Sequence, residues 1–302
     1  MYKAVASGWF SKVDVTGESA YNAIQKGIVD AAIIAPSGGF TKSVGAGNAK
    51  LQILIDATNI LKAQAIEIYL NAIATSVLKK SKLLPNETNF SINFKSRILF
   101  NPEMNSRFFM LPFIIVIMSA MTILSTICIS MTKEKECGTM EMLISAPIKK
   151  IHIILGKTIP YIGVGFINLT VIVAVSMLVF GLPFRGSIWQ FAVAFFVFAV
   201  SMSAFAVLLS TFCAVQQQAM LGMMIFLFLS IMLSGGMAPL DNMPSLLRIF
   251  AQLMPLSHYT SLARNILLKG SDWEYCLHHV LAIFLFGLAA ATLAIKRLKT
   301  TL

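Results

Sequence analysis

Charged residues are scarce in this chain of 302 residues: they make up 12% of it, whereas 57% of the residues are hydrophobic and the mean hydropathy is +0.78. Because soluble domains carry roughly a quarter charged residues, this composition indicates a membrane protein in contact with a lipid bilayer. The formal charge of +11 could suggest a nucleic-acid partner. Most lysines and arginines, however, flank apolar runs or are scattered over the first 107 positions. That distribution is typical of membrane topology and indicates no nucleic-acid binding.

Residues that commonly bind metals are also few. The chain has four cysteines and four histidines, and neither set shows a CxxC pair or another ligand spacing. No cysteine lies in the polar N-terminal region, which excludes a disulfide framework there. We therefore expect no metal, no bound cofactor and no catalytic residue on this chain. The residues considered are Cys128, Cys137, Cys213, Cys276, His152, His258, His278 and His279.

Residues 1–107 have the composition of a small domain outside the membrane. Short apolar runs bounded by Gly, Pro and Asn alternate there with segments of helical periodicity. The sequence predicts strands at Ala31–Ala35, Leu51–Asp56 and Ser91–Leu99, and helices at Glu18–Lys26 and Asn59–Leu78. We expect an α+β domain with a modest core.

Five apolar runs follow within residues 108–302, each close to the roughly 20 residues that cross the hydrocarbon core. They are Phe108–Met131, Thr158–Gly181, Ile188–Phe212, Ala219–Met237 and Cys276–Ile295. The connection at residues 238–275 is long and half polar, with two amphipathic segments broken by prolines. It predicts a re-entrant helical hairpin. The fold class expected is an α-helical membrane protein with five transmembrane helices plus a half-embedded hairpin, preceded by the small α+β domain.

Two clusters of basic residues fix the expected orientation. One lies between the first two spans and the other follows the fifth span, so four crossings separate them and both can face the cytoplasm. This predicts that residues 1–107 are extracytoplasmic and that the C-terminus is cytoplasmic, in the cell inner membrane. No apolar span precedes residue 1, so we expect a first span to be missing upstream through truncation or a misassigned start. The clusters are Lys133, Lys135, Lys149, Lys150 and Lys157, and Lys296, Arg297 and Lys299.

The predicted spans contain almost no ionisable side chain. The first four have no Asp, Glu, Lys or Arg, and the fifth has none before Lys296. Ion-coupled transporters and pumps need such groups within the membrane, so any transport must draw its energy from elsewhere. Gly156-Lys157-Thr158 resembles the end of a phosphate-binding P-loop, but Ile151 stands where the motif requires glycine. This excludes a nucleotide site at that position.

The charged insert at residues 132–157 is the most informative segment of the chain. Apolar residues from Met140 to Ile151 recur at helical spacing, and Gly138-Thr139 with Glu141 indicates a helix start. A flexible linker needs neither an apolar stripe nor Pro147. We therefore interpret the insert as a surface for a soluble partner.

The same insert carries a family resemblance. Its run from Glu134 to Leu143 (EKECGTMEML), followed by Pro147 and by Leu155-Gly156-Lys157, resembles the coupling segment of type-2 ATP-binding-cassette (ABC) exporter permeases of the multidrug efflux type. Further matches mark the predicted hairpin, at Gly235, Pro239, Pro244, Pro255 and Arg264. Two departures are Ala146, where the family often has Thr, and the missing first span.

The resemblance implies a permease half that pairs with a second permease, as a homo- or heterodimer, and with two separate ATPase subunits. Those subunits would hold ATP and Mg, so this chain would be no enzyme by itself. The substrate expected is an amphiphilic, drug-like or lipid-like molecule that is exported. The residues expected to couple to the ATPase are Glu134, Glu136, Gly138, Thr139, Glu141, Leu143, Ile144, Pro147 and Lys149.

One alternative remains open as the second interpretation of the residues. It is a membrane-anchored sensor or assembly protein whose outer domain binds a ligand and whose insert recruits a soluble partner. An ion-coupled transporter and an intramembrane enzyme rank lower, because the spans lack the charges of the first and the chain lacks a nucleophile–base pair for the second.

Overall fold

The computed structural model describes residues 19–25, 28–34, 50–80, 93–101, 105–139, 150–236, 243–271 and 273–300. The chain forms two compact units, residues 1–109 and 110–302. The elements in chain order are α1 (Ala20–Gln25), β1 (Ala31–Ile34), β2 (Lys50–Asp56), α2 (Ile60–Lys80), β3 (Asn93–Leu99), α3 (Ser106–Glu136), α4 (Lys150–Leu178), α5 (Ile188–Phe212), α6 (Gln216–Leu233), α7 (Ser245–Leu253), α8 (Pro255–Arg264), a π-helical segment (Asn265–Lys269) and α9 (Trp273–Thr300).

The first unit contains a three-stranded sheet in the order β1-β2-β3. β1 pairs with β2 antiparallel, and β2 pairs with β3 parallel. Since alternate residues of a strand face opposite sides, β2 supplies two small cores. Ile53 and Ile55 pack with residues of α2, whereas Leu54 packs with Ile24 of α1 and with Leu99. The strands and helices predicted for this region are confirmed, with ends shifted by a few residues.

The second unit contains the membrane helices. Among the described residues, five helices are long and apolar enough to cross a membrane, which confirms the prediction of a helical multi-pass membrane protein. α3 and α4 are longer than the apolar runs that predicted them: α3 continues past Met131 to Glu136, and α4 begins at Lys150, before Thr158. The charged residues at both ends of the insert thus extend the membrane helices.

α5 lies at the centre of the second unit and packs most extensively on α9. The two backbones approach closely at Gly287, where an added Cβ would lie 2.8 Å from the Cα of Ser201. On another face of α5, the ring of Phe198 stacks on that of Tyr259 in α8, with centroids 4.2 Å apart and planes at 14°. Both aromatic side chains are fully buried.

The helices α7 and α8 and the π-helical segment form the region predicted to be the hairpin. The backbone of the turn between α4 and α5 lies against this region, since Arg185 N–H donates to the carbonyl of Leu267 at 3.1 Å. An added Cβ at Gly186 would lie 2.5 Å from the carbonyl oxygen of Ile266, so no larger residue fits there without a backbone shift. The depth of the region in the membrane stays a prediction.

Arg264 connects the same region to the end of α6. Its guanidinium donates to the carbonyls of Gly235 and Gly236, at 3.2 and 3.3 Å. Gly235 has a φ of +68°, the left-handed conformation that glycine adopts readily at a helix end. Of the other residues that marked the hairpin, Pro244 precedes α7 and Pro255 begins α8, whereas Pro239 lies outside the described residues.

Candidate coupling site at the charged end of the spans

The last turn of α3 and the residues after it form the start of the predicted coupling segment. α3 ends at Glu136, and Gly138 then adopts a φ of +71°. The N–H groups of Cys137 and Gly138 donate to the carbonyls of Lys133 and Lys135, which satisfies two carbonyls of the last turn. The hydroxyl of Thr139 donates to the carbonyl of Glu134 at 3.2 Å. These bonds attach the start of the segment to the end of a membrane helix.

Three consecutive side chains of this turn each contact a different helix. Glu134 forms an ion pair with Lys157 of α4. Lys135 donates from Nζ to the carbonyl of Ser210, in the last turn of α5, at 2.6 Å. Glu136 accepts hydrogen bonds from Gln216, the first residue of α6. Successive residues of a helix point roughly 100° apart, which lets one turn reach three neighbours.

Two of these contacts complement the charge of helix ends. The last carbonyls of a helix and its first N–H groups lack partners within the helix and carry partial charges of opposite sign. Lys135 lies at the negative end of α5, and Glu136 lies at the positive end of α6. Each such contact stabilises by roughly 0.3–1 kcal/mol when exposed and by more when partly buried. The signs of the three charges are therefore those that their partners require.

The C-terminal part of α9 reaches the same end of the unit. The guanidinium carbon of Arg297 lies 3.8 Å from the centre of the Phe212 ring, at the end of α5, in a cation–π contact. The two basic clusters recognised in the sequence thus contribute residues to one end of the helices. The side of the membrane that this end faces stays a prediction.

The structure describes four of the nine predicted coupling residues. Glu134 and Glu136 have partners within the chain, Gly138 follows the end of α3 with a positive φ, and Thr139 is exposed. Their contact with an ATPase stays a prediction. The other five lie outside the described residues: Glu141, Leu143, Ile144, Pro147 and Lys149.

Sequence reasoning missed Lys135, Gln216 and the carbonyl of Ser210 as parts of this site. A charge alternation of Glu, Lys and Glu on adjacent helical residues was visible, and it implies three directions of contact. The identity of the partners depends on how the helices assemble, which spacing does not reveal. Within the described part of the chain, no group of three His, Cys, Asp or Glu side chains is placed to hold a metal ion.

Comparison with known proteins identifies the family. The profile described as "ABC-2 family transporter protein" matches residues 3–296. The chain is 29% identical over 229 residues to "Probable multidrug ABC transporter permease YbhR" of Escherichia coli K12, a match that covers 75% of this chain and 61% of the relative.

Two further permeases of the same organism are similar over longer stretches. "Probable multidrug ABC transporter permease YbhS" is 28% identical over 260 residues, which cover 83% of this chain and 67% of the relative. "Inner membrane transport permease YhhJ" is 27% identical over 271 residues, which cover 87% of this chain and 71% of the relative. This chain spans less than two thirds of the length of YbhR. Since the family profile matches nearly all of it, the chain belongs to the ABC-2 family of transporter proteins.

Proposed function

We propose that this chain is the permease subunit of an ABC exporter, located in the inner membrane, and that ATP hydrolysis on separate subunits drives it. The observation that carries the proposal is the triple contact of Glu134, Lys135 and Glu136 with α4, α5 and α6. These residues are the first three of the run that resembles the family's coupling segment. A force applied to that segment therefore acts first on a turn that is joined to three membrane helices.

The mechanism follows from these connections. Closure of the ATPase subunits around ATP and Mg displaces the coupling segment, and Gly138 and Thr139 pass the displacement to the end of α3. The ion pair of Glu134 then moves α4, while Lys135 and Glu136 move the ends of α5 and α6. Packed helices switch between discrete arrangements instead of deforming continuously, so this displacement alternates the passage between two states.

A second permease is the partner proposed within the membrane, as a homo- or heterodimer. α4 and α6 both carry apolar side chains that are exposed in the single chain, such as Ile167 at 68% and Ile225 at 69%. In the membrane, either lipid or a second membrane subunit can cover such faces. A passage between two copies would form along one of these faces, and the substrate carried through it would be amphiphilic.

The reconstituted complex with its ATPase tests the proposal. We expect Glu141→Lys combined with Leu143→Asp to lower the substrate-stimulated ATPase rate, because the variant reverses a charge and removes an apolar anchor of the coupling segment. Membrane insertion and the basal ATPase rate should not change. The control is Gln217→Ala, which alters an exposed residue of α6. Wild-type stimulation in the double variant would contradict the coupling role.

A further inference from the structure

A groove of about 670 Å³ lies between α3 and α4 at the charged end of the unit. This volume falls within the roughly 300–1,000 Å³ typical of small-molecule sites. Part of the wall consists of Thr126, Ile129 and Ser130 from α3 and of Tyr161 from α4, and the mouth includes Lys133 and Cys137. The groove extends from the aqueous end of the helices into the apolar part of the spans.

Polar side chains bridge α3 and α4 within the groove and one turn beyond its described lining. Asn168 donates to the hydroxyl of Thr122 at 2.5 Å, and the hydroxyl of Tyr161 donates to that of Ser130 at 3.0 Å. The ion pair of Glu134 completes the series at the charged end. The α3 members are separated by multiples of four residues, so they lie along one stripe of the helix. Long side chains that bridge two helices leave space between the backbones.

The wall offers apolar surface together with hydroxyl oxygens. The hydroxyl of Thr126 donates to the carbonyl of Thr122 at 2.7 Å, so its hydrogen is used within α3 and its methyl group contributes to the wall. Ile129 and the ring of Tyr161 supply larger apolar contacts. Such a wall suits the apolar body of an amphiphile that carries a few polar groups.

The described ionisable residues at the mouth of the groove carry a net positive charge. Glu134 is neutralised by Lys157, whereas the exposed Lys133 has no ion-pair partner among the described residues. Lys133, Glu134 and Lys157 together thus carry a net charge of one positive unit. An acidic group is attracted to this position, and a cationic group is repelled from it.

We propose that the groove between α3 and α4 binds an amphiphilic organic anion, with its acidic group at Lys133 and its apolar body along Ile129 and Tyr161. This inference rests on the proposed function and names the substrate class of the permease. It places the substrate beside the same turn that joins α3 to three other helices. A bound anion next to Glu134 would favour one arrangement of that turn, which links occupancy to coupling.

Cys137 provides a native reporter for this site. It is exposed and lies at the mouth of the groove, whereas the other three cysteines are buried. In the full chain reconstituted in lipid nanodiscs, we would measure the rate at which a charged maleimide alkylates Cys137, with and without decyl phosphate. At about ten times its dissociation constant, decyl phosphate should slow alkylation roughly tenfold, because only the free fraction reacts. Decyltrimethylammonium, with the same chain length and the opposite charge, should not protect the thiol.

Matched variants establish the role of the charge. In Lys133→Glu the protection by decyl phosphate should disappear, and decyltrimethylammonium should protect instead. In Lys296→Glu, which reverses an exposed lysine near the end of α9, protection should equal that of the wild type. Each variant is compared with itself in the absence of probe, which removes the direct effect of the new charge on thiol reactivity.

Several results would overturn the inference. Equal protection by both probes would show that their alkyl chains shield the thiol by partitioning into the lipid. A charged site would then not be needed to explain the protection. Protection that survives Lys133→Glu would place the anion elsewhere. Because alkylation is measured without ATP, absent protection refutes the groove as an anion site and leaves the coupling proposal standing. Loss of stimulated ATPase in the coupling variant bears on the proposed function alone.

Discussion

The carboxylate of Glu136 accepts two hydrogen bonds from Gln216, one from the backbone N–H at 3.1 Å and one from Nε2 at 3.0 Å. The first belongs to the opening turn of α6, whose N–H groups have no partner within the helix. α6 lacks an acidic residue in its own first turn. α3 therefore supplies the helix with a cap, and the two helix ends are joined through a charge-assisted bond.

Removal of this cap should destabilise the membrane unit. We expect Glu136→Ala to cost about 1 kcal/mol, since the first N–H groups of α6 lose a charged acceptor. Thermal unfolding of the purified protein in detergent measures the change. Glu136→Gln should lose less, because the amide oxygen still accepts, and Gln217→Ala should lose almost nothing. An unchanged unfolding temperature in Glu136→Ala would show that the contact contributes no stability.

The ion pair between Glu134 and Lys157 should behave as a coupled pair. Glu134→Lys and Lys157→Glu each place like charges side by side, so both single variants should unfold more easily than the wild type. The double variant restores opposite charges and should recover most of the loss, with a coupling energy of about 1 kcal/mol. Additive losses in the double variant would mean that the two side chains do not interact in the folded protein.

The contact between α5 and α9 should be intolerant of added volume. Gly287→Ala introduces a Cβ only 2.8 Å from the Cα of Ser201, so the backbones must move apart. We expect a loss of roughly 1–3 kcal/mol, as in overpacked cores. Gly163→Ala is the matched control, because an added Cβ there meets nothing within 4 Å. The prediction fails if both variants unfold at the same temperature.

Replacement of Arg264, even by lysine, should impair folding of the membrane unit. Burial lowers the pKa of Arg264 to about 10, which leaves the guanidinium protonated at neutral pH. The planar guanidinium of arginine can donate to the carbonyls of Gly235 and Gly236 at the same time. The ammonium group of a lysine is a single point of contact and would bridge the two carbonyls poorly. Arg264→Lys should therefore lower the yield of folded protein in size-exclusion chromatography, and Arg248→Lys, an exposed arginine of α7, should not.

His258 should make stability depend on pH. It lies outside the five spans, and burial lowers its pKa below the usual 6.5. Its Nε2 lies 2.7 Å from the carbonyl of Gln252, and its Nδ1 lies 2.9 Å from Nδ1 of His279. His278 is the further titratable neighbour, and its charge also lowers the pKa of His258.

The sign follows from the lowered pKa. As the pH falls below about 6.5, the unfolded chain takes up a proton that the folded chain resists, so stability decreases. The loss is about 1.4 kcal/mol for each pKa unit between the two states. Unfolding temperatures at about pH 7.5 and about pH 5.5 measure it, and His258→Gln should reduce the difference. His152→Gln, which alters an exposed histidine, should not reduce the difference. If the loss of stability at low pH persists in His258→Gln, His258 is not its source.

Much of the fold could be predicted because hydropathy and periodicity are local properties. Long apolar runs predict the five membrane helices, and short apolar runs bounded by Gly, Pro and Asn predict the strands of the first unit. The apolar runs do not reach the charged ends of α3 and α4, because charged residues such as Lys133 and Lys157 continue a helix beyond the membrane without any change in helix propensity. Hydropathy reports where lipid ends and carries no information on where the helix ends.

The candidate site could be predicted only in part. The insert was recognised from its charges and from its resemblance to the family, but the separate partners of Glu134, Lys135 and Glu136 were not. Those partners come from residues distant in sequence, and a lysine that caps another helix through Ser210 has no local signature. The groove between α3 and α4 was missed for the same reason, since Tyr161 and Ser130 become neighbours only in the folded helices.

The close approach of Gly287 and Ser201 also determines when the packing of α5 can be completed during synthesis. α5 packs most extensively on α9, which follows α5 in the chain and therefore leaves the ribosome later. Until then, the small and polar surface of α5 around Ser201 has no α9 to cover it and must be shielded by lipid or by helper proteins. A nonsense codon before Gly287 would therefore leave the central helix without its main neighbour, and early degradation of such a product would follow.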